Sequence, residues 1–146
     1  MNTASTGSQG LLSPTERFTV LRALGVFETD ERIRCQDSLA QFFLDDEWRE
    51  ALRFHSMILK RFESRTPGIY FYGLARTHFF DQILKHAIDS QISQILILGS
   101  GFDSRAFRFK AGNPINFFEF DRDDVIQKKH VRTVASCMSV GTNNVN

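Results

Sequence analysis

Two glycines separated by one residue, Gly99 and Gly101, follow an aliphatic run at residues 94–98. Because glycine has no Cβ, a turn of this kind lets the backbone pass close to a ligand. The dinucleotide fingerprint G-x-G-x-x-G needs a third glycine at position 104, where this chain has Ser104. The spacing therefore argues against a pyrophosphate site, and it leaves a ligand-binding turn and a plain tight turn as equal alternatives.

An acidic segment, Glu119-Phe120-Asp121, follows about twenty residues after the glycines, at the end of a second apolar run. In open α/β sheets, ligands bind beyond the carboxyl ends of the strands, and a carboxylate there can accept hydrogen bonds from both hydroxyls of a ribose. A solvated strand end or a helix cap is the alternative, since a predicted helix follows Asp121. The glycine turn and the carboxylate together favour ribose binding.

The elements around this motif predict a βαβ-like unit with a parallel strand pair and a right-handed crossover. The unalternated run Gln94–Leu98 predicts a strand buried on both faces. A loop or short helix at Ser104–Phe109, a turn at Gly112–Pro114, a strand at Ile115–Phe120 and a helix at Asp123–Ala135 complete the unit.

Upstream, the sequence predicts helices. Ser13, Pro14 and Glu16 form a helix start with a capping box, and the apolar face that follows carries Phe18, Leu21, Leu24 and Val26. Asp37 is expected to cap a short helix reaching Leu44, followed by one long helix at Asp46–Glu63. Thr66–Gly68 breaks this helix. A last helix at Tyr72–Ile88 is expected to bury Leu74, Phe79, Phe80, Ile83, Leu84, Ala87 and Ile88.

Composition excludes several classes of protein. The 146 residues suit one domain, and the fifteen phenylalanines indicate extensive buried packing. A formal net charge of +1 without blocks of like charge gives no support for nucleic-acid binding. Cys35 and Cys137 stand far apart, which argues against a metal site or a disulfide framework and favours a reducing, cytoplasmic compartment. Neither a signal peptide nor a membrane span is expected.

These segments resemble the leucine carboxyl methyltransferase family, which includes bacterial S-adenosylmethionine-dependent methyltransferases and polyketide O-methyltransferases. The run from Gln94 to Arg108, with Leu-Gly-Ser-Gly-Phe-Asp-Ser-Arg at its centre, is similar to the family's glycine motif. Phe118–Asp121 matches the [FY]-E-[VF]-D motif, and Ala75–Asp81 matches an A-R-T-x-x-[IF]-D helix. Weaker matches are Leu21–Ala23 and Asp37–Ala40, where Ser38 replaces the usual proline.

The resemblance implies S-adenosyl-L-methionine as cofactor and a role for each matching residue. Gly99, Ser100 and Gly101 would lie against the cofactor, Asp121 would hold the ribose hydroxyls, and Glu119 would border that site. Arg76 would grip the carboxylate of the methionine moiety with two parallel hydrogen bonds. Arg105 and Arg108 are expected to be structural ion-pair partners, and Asp103 to cap the amides of its own loop. No residue is assigned to catalysis.

The family fold is a seven-stranded, mostly parallel sheet with helices on both faces, in proteins about twice this length. We therefore expect an α/β chain in which N-terminal helices precede the first βαβ part of a Rossmann-like fold, apparently truncated. A flexible segment at residues 1–14, a partial domain at 15–137 and a loose tail at 138–146 are expected. Unpaired sheet edges would make the isolated chain marginally stable, prone to self-association and catalytically silent.

The resemblance implies O-methylation of a carboxylate or hydroxyl on a small molecule. Two alternatives stay open. The chain could be a non-catalytic remnant or binding module that keeps only the cofactor turn, or a nucleotide-binding enzyme of another chemistry, such as a dehydrogenase.

Overall fold

The computed structural model describes residues 12–109 and 114–141, with residues 135–141 described through their backbone alone. The helices are α1 (Pro14–Gly25), α2 (Asp46–Ala51), α3 (His55–Arg65), α4 (Ile69–Asp89), α5 (Arg105–Arg108) and α6 (Asp123–Gly141). Two strands, β1 (Gln94–Leu98) and β2 (Asn116–Phe120), and two short 3₁₀ segments at Ala40–Phe43 and Leu52–Phe54 complete the described elements. The expected mixture of helices and a parallel strand pair is confirmed.

Helix α1 lies at the centre of the helical part of the molecule. Its predicted capping box is present, because the Ser13 side chain accepts from the Glu16 amide and the Glu16 carboxylate accepts from the Ser13 amide. Every residue from Thr19 to Gly25 is buried, so the C-terminal half of the helix is enclosed on all sides rather than along one apolar face. A Cβ at Gly25 would overlap the Leu74 side chain of α4 and would lie 2.8 Å from Cys35 Cβ, so the packing at this end of α1 favours glycine.

The expectation of a single helix at Asp46–Glu63 is wrong, because a 3₁₀ segment at Leu52–Phe54 separates α2 from α3. Leu52 is buried in the core at this break, whereas α3 has no buried residue. The predicted break at Thr66–Gly68 is confirmed. Gly68 adopts a φ of 81°, and its amide donates to the Glu63 carboxylate at 2.7 Å.

The predicted buried face of the next helix is partly wrong. Helix α4 buries Leu74 and Leu84 as expected, but it also buries Thr77 and Asp81. Three residues expected inside are exposed instead: Phe79, Phe80 and Ile83. The expectation of extensively buried phenylalanine is corrected as well, since eight of them are exposed: Phe27, Phe54, Phe71, Phe79, Phe80, Phe107, Phe118 and Phe120.

Strands β1 and β2 form a parallel pair, as predicted, with Gln94 opposite Asn116 and Leu98 opposite Phe120. The expectation that β1 is buried on both faces is wrong within the described part of the chain. One sheet face is exposed and apolar, formed by Leu96, Leu98, Phe118 and Phe120. The predicted turn at Gly112–Pro114 lies largely outside the described residues.

Helix α6 continues to Gly141, so residues 138–141 are helical rather than part of the expected loose tail. Hydrogen bonds connect α6 to the start of α1, because the Glu16 carboxylate accepts from Lys128 Nζ at 2.6 Å and from Arg132 Nη2 at 3.4 Å. Among the described residues, none of the helices has the length and apolar character that crossing a bilayer requires.

The Glu16 contacts predict a pH-dependent stability. Burial raises the pKa of Glu16, but hydrogen bonds from Lys128 and Ser13 outweigh it and lower the pKa from 4.5 to about 2. A carboxylate whose pKa is depressed by folding stabilises the folded state above its unfolded pKa, and this contribution is lost as pH falls towards the folded value.

Glu16→Gln should therefore lower the free energy of unfolding by about 2 kcal/mol at pH 7 and by much less near pH 2–3. Urea denaturation followed by circular dichroism at both pH values measures the difference. Glu31→Gln, which alters an exposed acid, should change stability by less than about 0.5 kcal/mol at either pH. An equal loss for Glu16→Gln at both pH values would contradict the assignment.

Candidate functional site

The turn after β1 is fixed by hydrogen bonds from the end of β2. The amides of Gly99 and Ser100 both donate to the Phe120 carbonyl, at 2.8 and 3.2 Å. Gly99 and Gly101 adopt φ values of 62° and 51°, in the left-handed region that disfavours residues with a Cβ. The predicted G-x-G motif is therefore a turn whose left-handed backbone suits glycine, held at the carboxyl end of the parallel pair.

The two glycines differ in what surrounds them. In the described part of the chain, no atom lies within 4 Å of where a Cβ at Gly99 would stand, whereas a Cβ at Gly101 would lie 2.9 Å from Thr15 Cγ2. The turn is therefore open at Gly99 and packed against α1 at Gly101. Ser100 is buried beside them, and its hydroxyl oxygen has no hydrogen-bond partner among the residues that the structure describes.

Asp121 lies at this turn. One carboxylate oxygen accepts from the Gly101 amide at 2.7 Å, and the other accepts from the amide of Arg122 at 2.7 Å. A carboxylate oxygen has lone pairs for more than one donor. The structure thus brings together the glycine turn and Asp121, which the sequence pairs with it. Both carboxylate oxygens of Asp121 can still accept further hydrogen bonds.

Arg76 lies on the exposed side of α4. Its guanidinium stands 5.7 Å from the ring centroid of Phe18 in α1 and 5.2 Å from that of Phe80. Arg105, which follows the turn, approaches the same Phe80 ring at 5.7 Å. The Phe80 ring thus connects Arg76 to the segment beyond the glycines, and ring contacts of this kind orient a guanidinium while leaving its edge donors available.

Glu119 has a different environment from Asp121. Its Oε1 accepts from Lys129 Nζ at 2.5 Å, and the Lys129 side chain is 5% exposed. The ammonium also stands near the rings of Phe43 and Phe107. Glu119 therefore joins β2 to α6, which gives it a structural role whether or not it also borders a ligand.

A buried ionic network holds the residues that follow the turn. Arg105 donates to Asp81 Oδ1 at 2.7 Å, to Asp103 Oδ2 at 2.5 Å and to the Thr77 carbonyl at 3.1 Å. The other oxygen of Asp103 accepts from the Arg105 amide, which confirms its predicted role as a cap within the loop. These bonds explain why α4 buries the polar residues Thr77 and Asp81.

The network continues through Arg108 to the N-terminal helices. Arg108 donates to both oxygens of Asp81, at 2.8 and 3.0 Å, and to the Ser104 hydroxyl at 2.8 Å. Burial lowers the pKa of Arg108, but its bonds to Asp81 and its proximity to Asp37 outweigh burial and raise the pKa. The prediction that Arg105 and Arg108 are structural ion-pair partners is confirmed.

The expectation that Asp37 caps a short helix is wrong. The 3₁₀ segment that follows it has no side-chain cap, and the Asp37 side chain is completely buried. Its carboxylate lies 3.0 Å from Arg22 Nη1 and 3.6 Å from Arg108 Nε, without hydrogen-bond geometry. Arg22 also donates to the Phe102 carbonyl at 2.7 Å. Asp37 therefore balances the buried Arg22, which holds the loop after the glycines, and the partly buried Arg108.

Sequence reasoning missed Asp37 and Asp81 as buried carboxylates. The matching motifs contain four arginines and five acids, and nothing in their local spacing singles out the three of each sign that pair in the network. Their pairing spans most of the chain and cannot be read from local spacing.

The model of the leucine carboxyl methyltransferase family matches residues 15–140. The chain belongs to this family. The match includes α1, the glycine turn, Asp121 and nearly all of α6. In this leucine carboxyl methyltransferase family member, the elements to which the resemblance assigned the motifs carry the glycine turn, the acid after β2 and the ionic network.

Individual relatives are similar over shorter stretches. A Streptomyces coelicolor protein named, provisionally, as an S-adenosyl-L-methionine-dependent methyltransferase is 36% identical over 78 residues, which is 50% of this chain and 28% of that protein. Proteins of Mycobacterium bovis and Mycobacterium tuberculosis with the same provisional name are 36% identical over 58 residues, which is 40% of this chain and 19% of theirs. The matched part of this family member thus spans less than a third of each of these relatives.

Proposed function

We propose that this chain binds S-adenosyl-L-methionine at the turn Gly99–Gly101 and takes part in O-methyl transfer to a small-molecule carboxylate or hydroxyl. The observation that carries the proposal is the open left-handed turn at Gly99, with the Asp121 carboxylate bonded to its far end. Family membership and the names of the relatives support the same cofactor.

The residues present fit this cofactor. The space at Gly99 would admit it close to the backbone, and the buried Ser100 hydroxyl lacks a partner that a polar ligand atom could supply. Asp121 would accept from the ribose hydroxyls, and Arg76 would grip the methionine carboxylate. Glu119 would border the ribose while its ion pair with Lys129 holds the strand end in place.

The cofactor, when bound, supplies a methyl group on a positively charged sulfur, which leaves as a neutral thioether. The chain's own contribution would be to hold and orient the cofactor, because alignment of nucleophile and methyl is the main demand of such a transfer. The acidic and basic residues of the buried network are paired with one another, and we assign them to positioning the turn rather than to proton transfer.

A dinucleotide is a less suitable ligand. Ser104 occupies the position of the third glycine, is completely buried, and accepts a hydrogen bond from Arg108. Calorimetric titration of the chain with S-adenosylhomocysteine and with NAD tests the proposal. We expect measurable binding of the first and much weaker binding of the second. Tighter binding of NAD would overturn the methyltransferase proposal in favour of dehydrogenase-type chemistry.

The alternative, a non-catalytic binding module, differs from the proposed enzyme in that it binds the cofactor without transferring a methyl group. Transfer of a labelled methyl group to a panel of small acids and phenols, measured alongside cofactor binding, distinguishes the two. Binding without transfer would support the module. A free, buried Cys35 is consistent with the reducing, cytoplasmic compartment that we propose for either form.

We also propose that the isolated chain self-associates through its sheet. In the described residues β1 and β2 pair only with each other, and their exposed face carries four large apolar side chains. Sedimentation velocity should show concentration-dependent association that Leu96→Thr with Phe118→Thr reduces. A monomer at all concentrations would refute this proposal without bearing on cofactor binding.

The Arg76 assignment predicts a selective loss of affinity. Arg76→Gln should weaken S-adenosylhomocysteine binding about 10- to 100-fold, because a charge-assisted hydrogen bond contributes about 1.5–3 kcal/mol. Binding of 5′-methylthioadenosine, which lacks the methionine carboxylate, should change by less than about threefold. Calorimetry with both ligands measures the difference.

Lys85→Gln is the matched control, since it removes an exposed charge from the same helix. It should leave both affinities unchanged. An equal loss for the two ligands in Arg76→Gln would show that Arg76 supports the fold of the site rather than the carboxylate.

A further inference from the structure

An open cavity lies against α1. It has a volume of about 500 Å³ and is lined by residues of α1, α2, α3 and the start of α4. The volume falls within the range typical of small-molecule sites. None of the residues assigned to the cofactor (Arg76, Gly99–Gly101, Glu119 and Asp121) lines it, although Phe18, whose ring contacts Arg76, is part of its wall.

The walls of this cavity are apolar and incompletely packed. They include Phe18, Trp48, Ile58, Phe62 and Ile69, which pack against the buried core while remaining partly exposed themselves. Protein cores are normally filled to crystal-like density, and an apolar space of this size beside a core favours an apolar occupant.

The rim of the cavity is basic. Arg17, Arg61 and Arg65 line it, against the single acid Glu47. All four side chains are exposed, and they are the ionisable side chains that line the cavity within residues 12–109 and 114–134. Guanidinium groups match carboxylates in geometry as well as in charge. The chain is close to neutral overall, so this excess of positive charge is a local feature of the rim.

We propose that the cavity binds an amphipathic monocarboxylate, with its aliphatic or aromatic body against the walls and its carboxylate at the arginine rim. The apolar area would supply most of the affinity, and the rim would distinguish an acid from a neutral molecule of the same shape. Binding at this site requires no cofactor, so it can be measured whether or not the chain binds S-adenosyl-L-methionine.

Trp48 makes the site directly observable, because it is the only tryptophan in the chain. Titration of the full chain with octanoate should change Trp48 fluorescence saturably. The matched alcohol, 1-octanol, should bind about three- to tenfold more weakly, as expected for charge pairs at an exposed rim. Equal affinity for the acid and the alcohol, or no saturable change, would overturn the proposal.

Variants distinguish the cavity from the exposed sheet face. Ala51→Leu adds bulk to the cavity wall and should abolish the fluorescence response while the helical circular dichroism is kept. Ile58→Phe serves the same purpose if Ala51→Leu does not fold. Arg17→Gln combined with Arg65→Gln should reduce the preference for octanoate over octanol, and Lys60→Gln, which alters an exposed charge outside the cavity, should not. Octanoate binding that survives both wall variants would place the ligand elsewhere and refute the site.

Discussion

Asp37→Leu is expected to lower the free energy of unfolding by about 3–5 kcal/mol, the largest stability change predicted for this chain. The carboxylate is completely buried between Arg22 and Arg108. Removing it leaves an uncompensated positive charge in the interior, and desolvation of that charge is no longer offset by attraction. Urea denaturation measures the loss of stability when it is followed by circular dichroism at 222 nm, which reports the helical content of the chain.

Glu50→Gln is the control, because it breaks an ion pair with Arg53 in which both side chains are mostly exposed. It should cost less than about 1 kcal/mol. The comparison separates the effect of burial from the effect of losing an ion pair, since both variants remove one acid that lies beside an arginine.

A double variant tests whether charge balance is the cause. The described network contains Arg22, Arg105 and Arg108 with Asp37, Asp81 and Asp103. Asp37→Leu with Arg22→Met restores equal numbers of cations and anions, so it should be more stable than Asp37→Leu alone despite the additional change. A double variant less stable than the single one would show that the bond from Arg22 to the Phe102 carbonyl outweighs the charge imbalance.

Elements with strong local signals were predictable from the sequence. The capping box at Ser13 and Glu16 and the break at Thr66–Gly68 follow from residue types within a few positions. The parallel pairing of the two apolar runs follows from their order along the chain, because the connection between them is a crossover. The glycine turn with Asp121 was predictable for the same reason. A strand, two glycines and a second strand leave few ways to arrange the carboxyl ends of a parallel pair.

Features that depend on distant partners were not predictable. Asp37 resembled a helix cap because nothing nearby in sequence indicates that Arg22 and Arg108 meet it. Helix α4 was expected to bury Phe79 and Phe80 by its apolar spacing. It buries Thr77 and Asp81 instead, since Arg105 and Arg108 provide their partners. Tertiary ion pairs thus outweigh the apolar pattern of the helix.

Gly99→Ala should weaken S-adenosylhomocysteine binding about 100-fold while costing only about 1 kcal/mol of stability. The φ of 62° at this position imposes a modest backbone penalty on alanine, and the new Cβ would enter open space. If the cofactor occupies that space, the alanine side chain prevents the cofactor from approaching the backbone as closely as it does at glycine. Calorimetry and urea denaturation of the same preparation measure the two effects.

Gly68→Ala is a close match for this change. Gly68 has a φ of 81°, and a Cβ there would also meet nothing within 4 Å, but it lies between α3 and α4, away from the turn. The two alanine variants should therefore lose similar stability, and only Gly99→Ala should lose affinity. Equal affinities would mean that the space at Gly99 is not the place where the cofactor approaches.

Gly101→Ala completes the comparison, because there the Cβ would lie 2.9 Å from Thr15 Cγ2. Overpacking against α1 should add about 1–3 kcal/mol to the backbone penalty, so this variant is destabilised as well as weakened in binding. Thr15→Ser removes the opposing methyl group and should recover part of the stability of Gly101→Ala. Thr15→Ser should not restore the affinity of Gly99→Ala, because there the alanine side chain occupies space that the ligand needs and does not disturb the packing on α1. Recovery of binding in Gly99→Ala by Thr15→Ser would instead assign both glycines to the packing of the turn on α1.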